Sequence, residues 1–137
     1  MTVDVTVTAS VQQRPKEGSN YPAIGPYPFN YEALAQKDPF THTLEVLPTD
    51  TFAGVQKVVD IPAHLLTTQN FLLIKTDLPV KVRVRDTAGS PITFERELRT
   101  NGSIMVGGGA PSVDQISFEG VAGALPCAKV TVMVIGE

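Results

Sequence analysis

The runs Val80-Lys-Val-Arg-Val-Arg85 and Ile92-Thr-Phe-Glu-Arg-Glu-Leu98 decide the fold of this chain, because both alternate apolar with mostly charged residues. Successive side chains of a β-strand point to opposite faces of a sheet, so a period of two predicts a strand with one buried face and one wet face. The segment between the runs, Thr87-Ala-Gly-Ser-Pro91, is rich in turn-forming residues. The three segments together predict an antiparallel hairpin.

The register of this hairpin follows from charge and hydropathy. With Asp86 opposite Ile92, oppositely charged side chains face each other on one side of the sheet, and apolar side chains face each other on the other side. The facing pairs are then Arg83 and Glu95, Lys81 and Glu97, Val84 and Phe94, and Val80 and Leu98.

Arg96 does not fit this pattern. The register places it beside Val82 on the inner face, where a guanidinium needs either an open end of the sheet or a carboxylate from a partner. An error in the assumed register is the alternative interpretation. We therefore predict Arg96 as a candidate partner-binding residue.

The same alternation recurs along the chain and predicts nine short strands, separated by clusters of Pro, Gly, Asn and Asp that favour turns. The predicted strands are residues 2–11, 40–47, 55–61, 71–76, 80–85, 92–99, 103–106, 115–118 and 127–135. This series predicts an all-β fold, either an antiparallel β-sandwich or a jelly-roll-like barrel, in which residues 1–137 form a single domain.

Residues 14–30 form a different kind of segment, which contains four of the prolines of the chain. Proline lacks a backbone donor and restricts the backbone, so we predict a long, irregular, Pro-rich N-terminal loop or arm. Aromatic residues lie in the arm and at its exit, namely Tyr21, Tyr27, Phe29 and Tyr31. They predict a surface that docks on a partner protein, with packing on the chain's own domain and stacking on a sugar as alternatives.

Three short turns are also predicted. Asn30 can cap a helical turn over residues 31–37, and Pro62 can begin a second turn over residues 63–66. The dipeptide Asn101-Gly102 supplies the left-handed backbone that a tight hairpin turn requires.

Side chains for catalysis or metal binding are few, because the chain holds only His42, His64 and Cys127 of the usual bases and soft ligands. A nucleophile needs a base within hydrogen-bond reach, and zinc needs three or four such ligands. We predict His42 as a core or edge residue and Cys127 as a packing residue. The sequence therefore predicts no catalytic residue, no cofactor and no metal site in a protein that is not an enzyme, while a mechanism based on carboxylates alone stays open.

Charge and hydropathy restrict the partners. The net charge is -3 without a run of like charges, so we predict no binding to nucleic acid, and no apolar run approaches the roughly 20 residues that cross a membrane. A single cysteine and the start Met1-Thr-Val-Asp4 predict synthesis in a reducing cytoplasm. The charged share of 18% favours a chain that covers its surface with copies of itself or a larger assembly, with a well-packed domain rich in Thr and Ser as the alternative.

Valine-rich strands and glycine-rich turns alternate in Phe71-Leu-Leu-Ile-Lys-Thr-Asp-Leu-Pro-Val80, Asn101-Gly-Ser-Ile-Met-Val-Gly107 and Lys129-Val-Thr-Val-Met-Val-Ile-Gly136. This layout, over residues 40–137, resembles small β-rich virion structural proteins of tailed bacteriophages, which decorate capsids or build head and tail accessories. The resemblance implies a homo-oligomer that is made in the host cytoplasm, resides in the virion and binds other virion proteins such as the major capsid protein. A carbohydrate- or receptor-binding module of a tail fibre is the alternative function.

Overall fold

The computed structural model describes residues 2–18, 20, 22–54, 57–65, 69–86, 92–107 and 113–136, and most of these residues lie in β-strands. The strands are β1 (Thr2–Gln13), β2 (Ile24–Val46), β3 (Lys57–Asp60), β4 (Gln69–Thr76), β5 (Val80–Asp86), β6 (Ile92–Leu98), β7 (Ser103–Gly107), β8 (Val113–Gly120) and β9 (Ala128–Gly136). A short 3-10 helix, Ala63–Leu65, follows β3. The predicted turn after Pro62 is thereby confirmed.

The strands form two antiparallel sheets. The larger sheet has the order β1-β2-β9-β4-β7, and the smaller one has the order β3-β8-β5-β6. Without β1, each sheet has four strands, and most connections cross from one sheet to the other. Eight strands in two four-stranded antiparallel sheets with such crossovers are a jelly roll. The predicted all-β sandwich is confirmed.

The core lies between the two sheets and draws alternate residues from both. Val130 and Val132 of β9 are fully buried, as are Val82 of β5 and Ile116 and Phe118 of β8. Fully burying a side chain of this kind stabilises the fold by roughly 1.5–3 kcal/mol. Cys127 is also buried and unpaired, as its predicted packing role requires.

The hairpin of β5 and β6 has the predicted register over most of its length. Val80 faces Leu98, Arg83 faces Glu95 and Val84 faces Phe94. The register shifts beyond Val84, so that Arg85 rather than Asp86 lies opposite Ile92. Arg83 Nε donates to Glu95 Oε2 at 2.7 Å. Charge and hydropathy together therefore predict the register of this hairpin as far as Val84.

Lys81 lies opposite Glu97 as predicted, but its ammonium group turns to the other neighbour of β5. Lys81 Nζ is 3.2 Å from Oε1 of Glu119 on β8. Glu119 is the more buried carboxylate and is held by a second donor, which makes it the better partner for the charge. The sequence of one hairpin cannot reveal a carboxylate on the third strand.

The predicted irregular arm is wrong from Ile24 onward, because β2 begins there and pairs with β1. The helical turn predicted over residues 31–37 is also wrong, since the same strand runs through it. The backbone N–H and C=O groups of β1 need hydrogen-bond partners along 12 residues, and β2 supplies them. Residues 24–37 thus form a strand although their own sequence does not favour one. Pro26 and Pro28 are tolerated because the other edge of this part of β2 is paired with no described strand.

Residues 14–18, 20, 22 and 23 lie outside the strands and join β1 to β2. Asn101 has a φ of 56°, so the predicted left-handed backbone is confirmed at this residue. The predicted hairpin is wrong, because β6 and β7 lie in different sheets and the turn crosses from one sheet to the other. Gly102 follows it in close contact with Leu98 and Arg99, where a Cβ would meet the Arg99 carbonyl oxygen at 2.7 Å.

Gln69 holds the two sheets together at one end of the sandwich. Gln69 belongs to β4 of the larger sheet, and its side chain forms hydrogen bonds with the backbone of Val113 on β8 of the smaller sheet. Nε2 donates to the Val113 carbonyl at 2.7 Å, and Oε1 accepts from the Val113 N–H at 2.9 Å. Both residues are buried, so the Gln69 amide and the Val113 backbone groups would lack hydrogen-bond partners without each other.

We expect Gln69→Leu to lower the free energy of unfolding by about 2 kcal/mol or more, because it leaves two buried backbone groups of Val113 unsatisfied. Chemical denaturation monitored by fluorescence or circular dichroism measures the change. The matched control is Gln115→Leu, which breaks the more exposed bond to Asp60 at 2.9 Å. A Gln69 variant no less stable than this control would show that the amide does not hold the sheets together.

Candidate functional site

Strand β1 and residues 24–37 of β2 form a two-stranded ribbon that extends beyond the sandwich. β9 pairs with β2 only from Lys37 onward, so the earlier residues of β2 have β1 as their sole described strand neighbour. Twelve residues of β1 at roughly 3.4 Å each make a ribbon about 40 Å long. An isolated two-stranded hairpin is at best marginally stable in water, which makes the ribbon a segment that a partner would stabilise.

The pairing of β1 with β2 sorts the residues of the ribbon by polarity. Val7 lies opposite Tyr31, Ala9 opposite Phe29 and Val11 opposite Tyr27. The intervening positions pair Thr6 with Glu32, Thr8 with Asn30 and Ser10 with Pro28. Since directly opposite residues share a face of the ladder, one set of positions is apolar and the other mostly polar.

Three of the four predicted aromatic residues therefore belong to a strand and not to a loop. Tyr27, Phe29 and Tyr31 occupy alternate positions of β2, on the same face as the apolar positions of β1. Tyr27 is 62% exposed, so most of this residue faces water. Tyr21 lies outside the described residues. The period of two among Tyr27, Phe29 and Tyr31 was the sequence signal that could have revealed the strand.

Arg96 lies far along the chain from these aromatic residues, on the edge strand β6. Its register opposite Val82 is as predicted, but its side chain is exposed. The guanidinium carbon is 5.9 Å from the centre of the Phe94 ring. The inner face of the smaller sheet is thus open at this edge, which explains how an arginine is accommodated there. A partner-binding role for Arg96 stays a prediction.

An open groove of about 520 Å³ lies beside Arg96, between β6 of the smaller sheet and β7 of the larger sheet. The two strands are consecutive and are joined by the turn at Asn101, yet they belong to different sheets. Apolar and cationic side chains line the groove, among them Phe94, Leu98, Ile104, Met105, Arg96 and Arg99. This is a place where the edges of the sandwich do not close over the core.

Glu119 ties the turn after β2 to the smaller sheet. Its Oε2 accepts a hydrogen bond from the Phe52 backbone N–H at 2.8 Å, and Arg83 lies 3.9 Å above the Phe52 ring. The Phe52 N–H, with help from Lys81 and Arg83, holds the pKa of Glu119 below its ordinary value. This cluster is structural, since a backbone amide and two cations satisfy the carboxylate.

The remaining residues considered for chemistry are dispersed. His42 is exposed on β2, and its ring stacks on Phe40 with centroids 6.1 Å apart. The position is that of an edge imidazole, one of the two predicted alternatives. Among the described residues, no three His, Cys, Asp or Glu side chains are grouped so that they could hold a metal ion. Nor does any helix in that part of the chain have the length and hydropathy to cross a membrane.

The fold and these surfaces define a jelly-roll β protein with a projecting β ribbon. No protein-family model matches the chain, and no curated protein matches it either. Among solved structures, it is similar to a chain from Bacillus endospore appendages, described as a novel family of disulfide-linked pili. The sequence identity is 10% and the TM-score is 0.44, over 72% of this chain and 82% of that chain. This distant likeness supports no functional argument.

Glu119 makes the stability of the fold depend on pH. Because its pKa is lower in the folded than in the unfolded chain, its stabilisation is complete above the ordinary value of 4.5 and is lost as the pH falls through the folded-state pKa. We therefore expect the difference in melting temperature between the wild type and Glu119→Gln to shrink between about pH 7 and about pH 3. Glu45→Gln, which removes an exposed carboxylate of β2, is the matched control. A difference that stays constant over this range contradicts the assignment.

Proposed function

We propose that this protein is a non-enzymatic structural protein of a bacteriophage virion. It decorates or stabilises the capsid, or forms part of the head or tail apparatus, through contacts with copies of itself and with other virion proteins such as the major capsid protein. The proposal rests on the ribbon, a long structural element that a sandwich core does not require. Jelly rolls occur in viral capsid domains, which is compatible with the proposal but is a fold-level analogy.

The exposed Tyr27 is the feature of the ribbon that best fits protein docking. A tyrosine buries a large apolar ring at a small cost in side-chain entropy while its hydroxyl keeps a polar partner, and aromatic residues are enriched at interfaces. In this ribbon Tyr27 is 62% exposed, and Ile24 near the tip is 37% exposed. A partner that covers this end of the ribbon would bury apolar surface that now faces water.

A carbohydrate- or receptor-binding module of a tail fibre is the second candidate. The observation that favours it is the same exposed ring, because an aromatic face beside amide side chains can stack on a sugar. Jelly rolls also occur in lectin domains. The two candidates differ in the partner, which is a protein in one and a glycan in the other. A substitution of Tyr27 tests both, because binding to each partner can be measured separately.

We expect the chain to be present in purified, DNA-filled phage particles and to bind particles assembled from a genome that lacks its gene. Tyr27→Ser should weaken this binding roughly tenfold or more, as truncation of an interface aromatic commonly does. Co-sedimentation of purified protein with the deficient particles, followed by quantification of the bound fraction, measures the effect. Leu125→Ser is the matched control, since Leu125 is 71% exposed in a loop outside the ribbon.

The absence of the chain from purified particles, together with no binding to deficient ones, overturns the proposal. Binding to a glycan array that Tyr27→Ser abolishes, without binding to particles, selects the carbohydrate-binding alternative instead. Equal losses for Tyr27→Ser and Leu125→Ser would show that the ribbon is not the docking surface.

A further inference from the structure

The exposed edges of the two sheets differ in how they are protected against pairing with another strand. An edge strand presents unpaired N–H and C=O groups, and proteins commonly place charged residues or prolines there to prevent association. In the smaller sheet, β3 carries Lys57 and Asp60, and β6 carries Glu95, Arg96 and Glu97. In the larger sheet, β7 reads Ser-Ile-Met-Val-Gly and has no charged residue. β7 is therefore the unprotected edge of the sandwich body.

The ribbon shows the same contrast between its own two edges. The outer edge of β2 contains Pro26 and Pro28, which cannot donate to a neighbouring strand. β1 contains no proline, and Asp4 is its one charged residue among Thr, Val, Ala, Ser and Gln. β1 pairs with β2 on one side, and no other described strand lies on its other side. The outer edge of β1 is therefore the unprotected edge of the ribbon.

A strand added to β7 would also cover the groove between β6 and β7. The larger sheet ends at β7, and the groove begins directly beyond it, with Phe94, Leu98 and Ile104 on its wall. Five of the 12 positions along β1 are apolar and recur at a period of two, so a pairing of β1 with β7 can direct those positions towards this wall. Five residues of β7 match about 17 Å of β1.

The two faces of the ribbon have different surroundings in this pairing. Arg96 and Arg99 line the groove against one carboxylate, that of Glu97. Because the apolar positions of β1 face the groove, the mostly polar face of the ribbon, where Glu32 lies opposite Thr6, faces away from it. The main chain and the apolar positions of β1 therefore make the contact, and the polar face stays in water.

We propose that β1 of one copy of this chain adds to the outer edge of β7 of a second copy, so that the larger sheet continues from one copy into the next. This inference rests on the proposed function, because it names the partner surface for the ribbon. The contact joins two different surfaces, so it is head-to-tail and builds rings or filaments rather than a closed dimer. Main-chain hydrogen bonds supply affinity, and the groove supplies specificity.

Two full-length variants test the two sides of the contact separately: β1, the strand that is added, and β7, the edge that receives it. Met105→Lys places a charge on β7, where Met105 is 50% exposed, so the core is left intact. Thr6→Lys combined with Thr8→Lys places charges on exposed positions of β1. We expect the wild type to self-associate with increasing concentration in analytical ultracentrifugation. Each variant alone should associate at least about tenfold more weakly.

The mixture of the two variants is the decisive sample. Met105→Lys retains an intact β1, and the double Thr variant retains an intact β7, so one productive contact remains between them. We expect an equimolar mixture to form a dimer of one copy each and nothing larger. A mixture in which both variants stay monomeric overturns the proposal, because it shows that the contact is not between β1 and β7.

Matched controls test whether an added lysine alone prevents association. Thr49→Lys makes the same change at an exposed residue of the turn after β2, and Leu125→Lys makes an apolar-to-lysine change at the exposed Leu125. Both should associate like the wild type. A loss of association in these controls, a wild type that stays monomeric up to about 100 µM, or variants that associate like the wild type overturn the proposal.

Cysteine cross-linking gives a second measurement that tolerates altered stability. Met105→Cys is mixed with chains that carry Cys in place of Thr6, Thr8 or Ser10, in a background where the native Cys127 is buried. Adjacent strands bring such residues within disulfide distance, so we expect one of the three positions to cross-link at least tenfold faster than the slowest. Equal, slow rates at all three contradict the contact. Particle binding without self-association would refute this inference while leaving the proposed function intact.

Discussion

Strand β2 carries two hydrogen-bonded ladders in succession, and the arrangement of the molecule depends on its continuity. Residues 37–46 pair with β9 within the sandwich, and residues 24–37 pair with β1 outside it. Lys37 lies at the junction, paired with Thr2 on one side and with Gly136 on the other. Backbone groups away from water must be paired, so a strand that belongs to both ladders connects the ribbon to the body through its own main chain.

The sandwich and its surface have different sources of stability. Alternate residues of both sheets fill the core, whereas the outer face of the smaller sheet carries the pairs Lys81–Glu119, Arg83–Glu95 and Arg85–Asp114. These side chains are partly exposed, and pairs of this kind contribute at most about 1 kcal/mol each. Arg83–Glu95 joins β5 to the edge strand β6, and the other two pairs join β5 to β8. The larger sheet has no comparable charges at β7, which leaves that edge and the adjoining groove open.

The candidate surfaces could be predicted only in part. The aromatic residues Tyr27 and Phe29 were assigned to a docking arm from their composition, but the four prolines of the segment masked the period of two that makes it a strand. Arg96 was recognised as a misfit in the hairpin register, and the structure explains the misfit by an open edge. No pattern in the sequence predicts the groove. It forms because the turn at Asn101 leads from β6 in one sheet to β7 in the other, and the edges of the two sheets stay apart.

The sequence by itself determined the all-β class, most of the strands and the local pairing of β5 with β6, because alternation and cross-strand charges act between neighbours along the chain. It also determined the left-handed turn at Asn101. Only the tertiary structure decided that residues 31–37 extend a strand, that Lys81 binds Glu119, and that Gln69 joins the sheets through Val113. Each of these depends on a partner 24 or more residues away along the chain, from Val7 and Tyr31 at 24 to Gln69 and Val113 at 44. At such separations, local preference yields to whichever strand is adjacent in space.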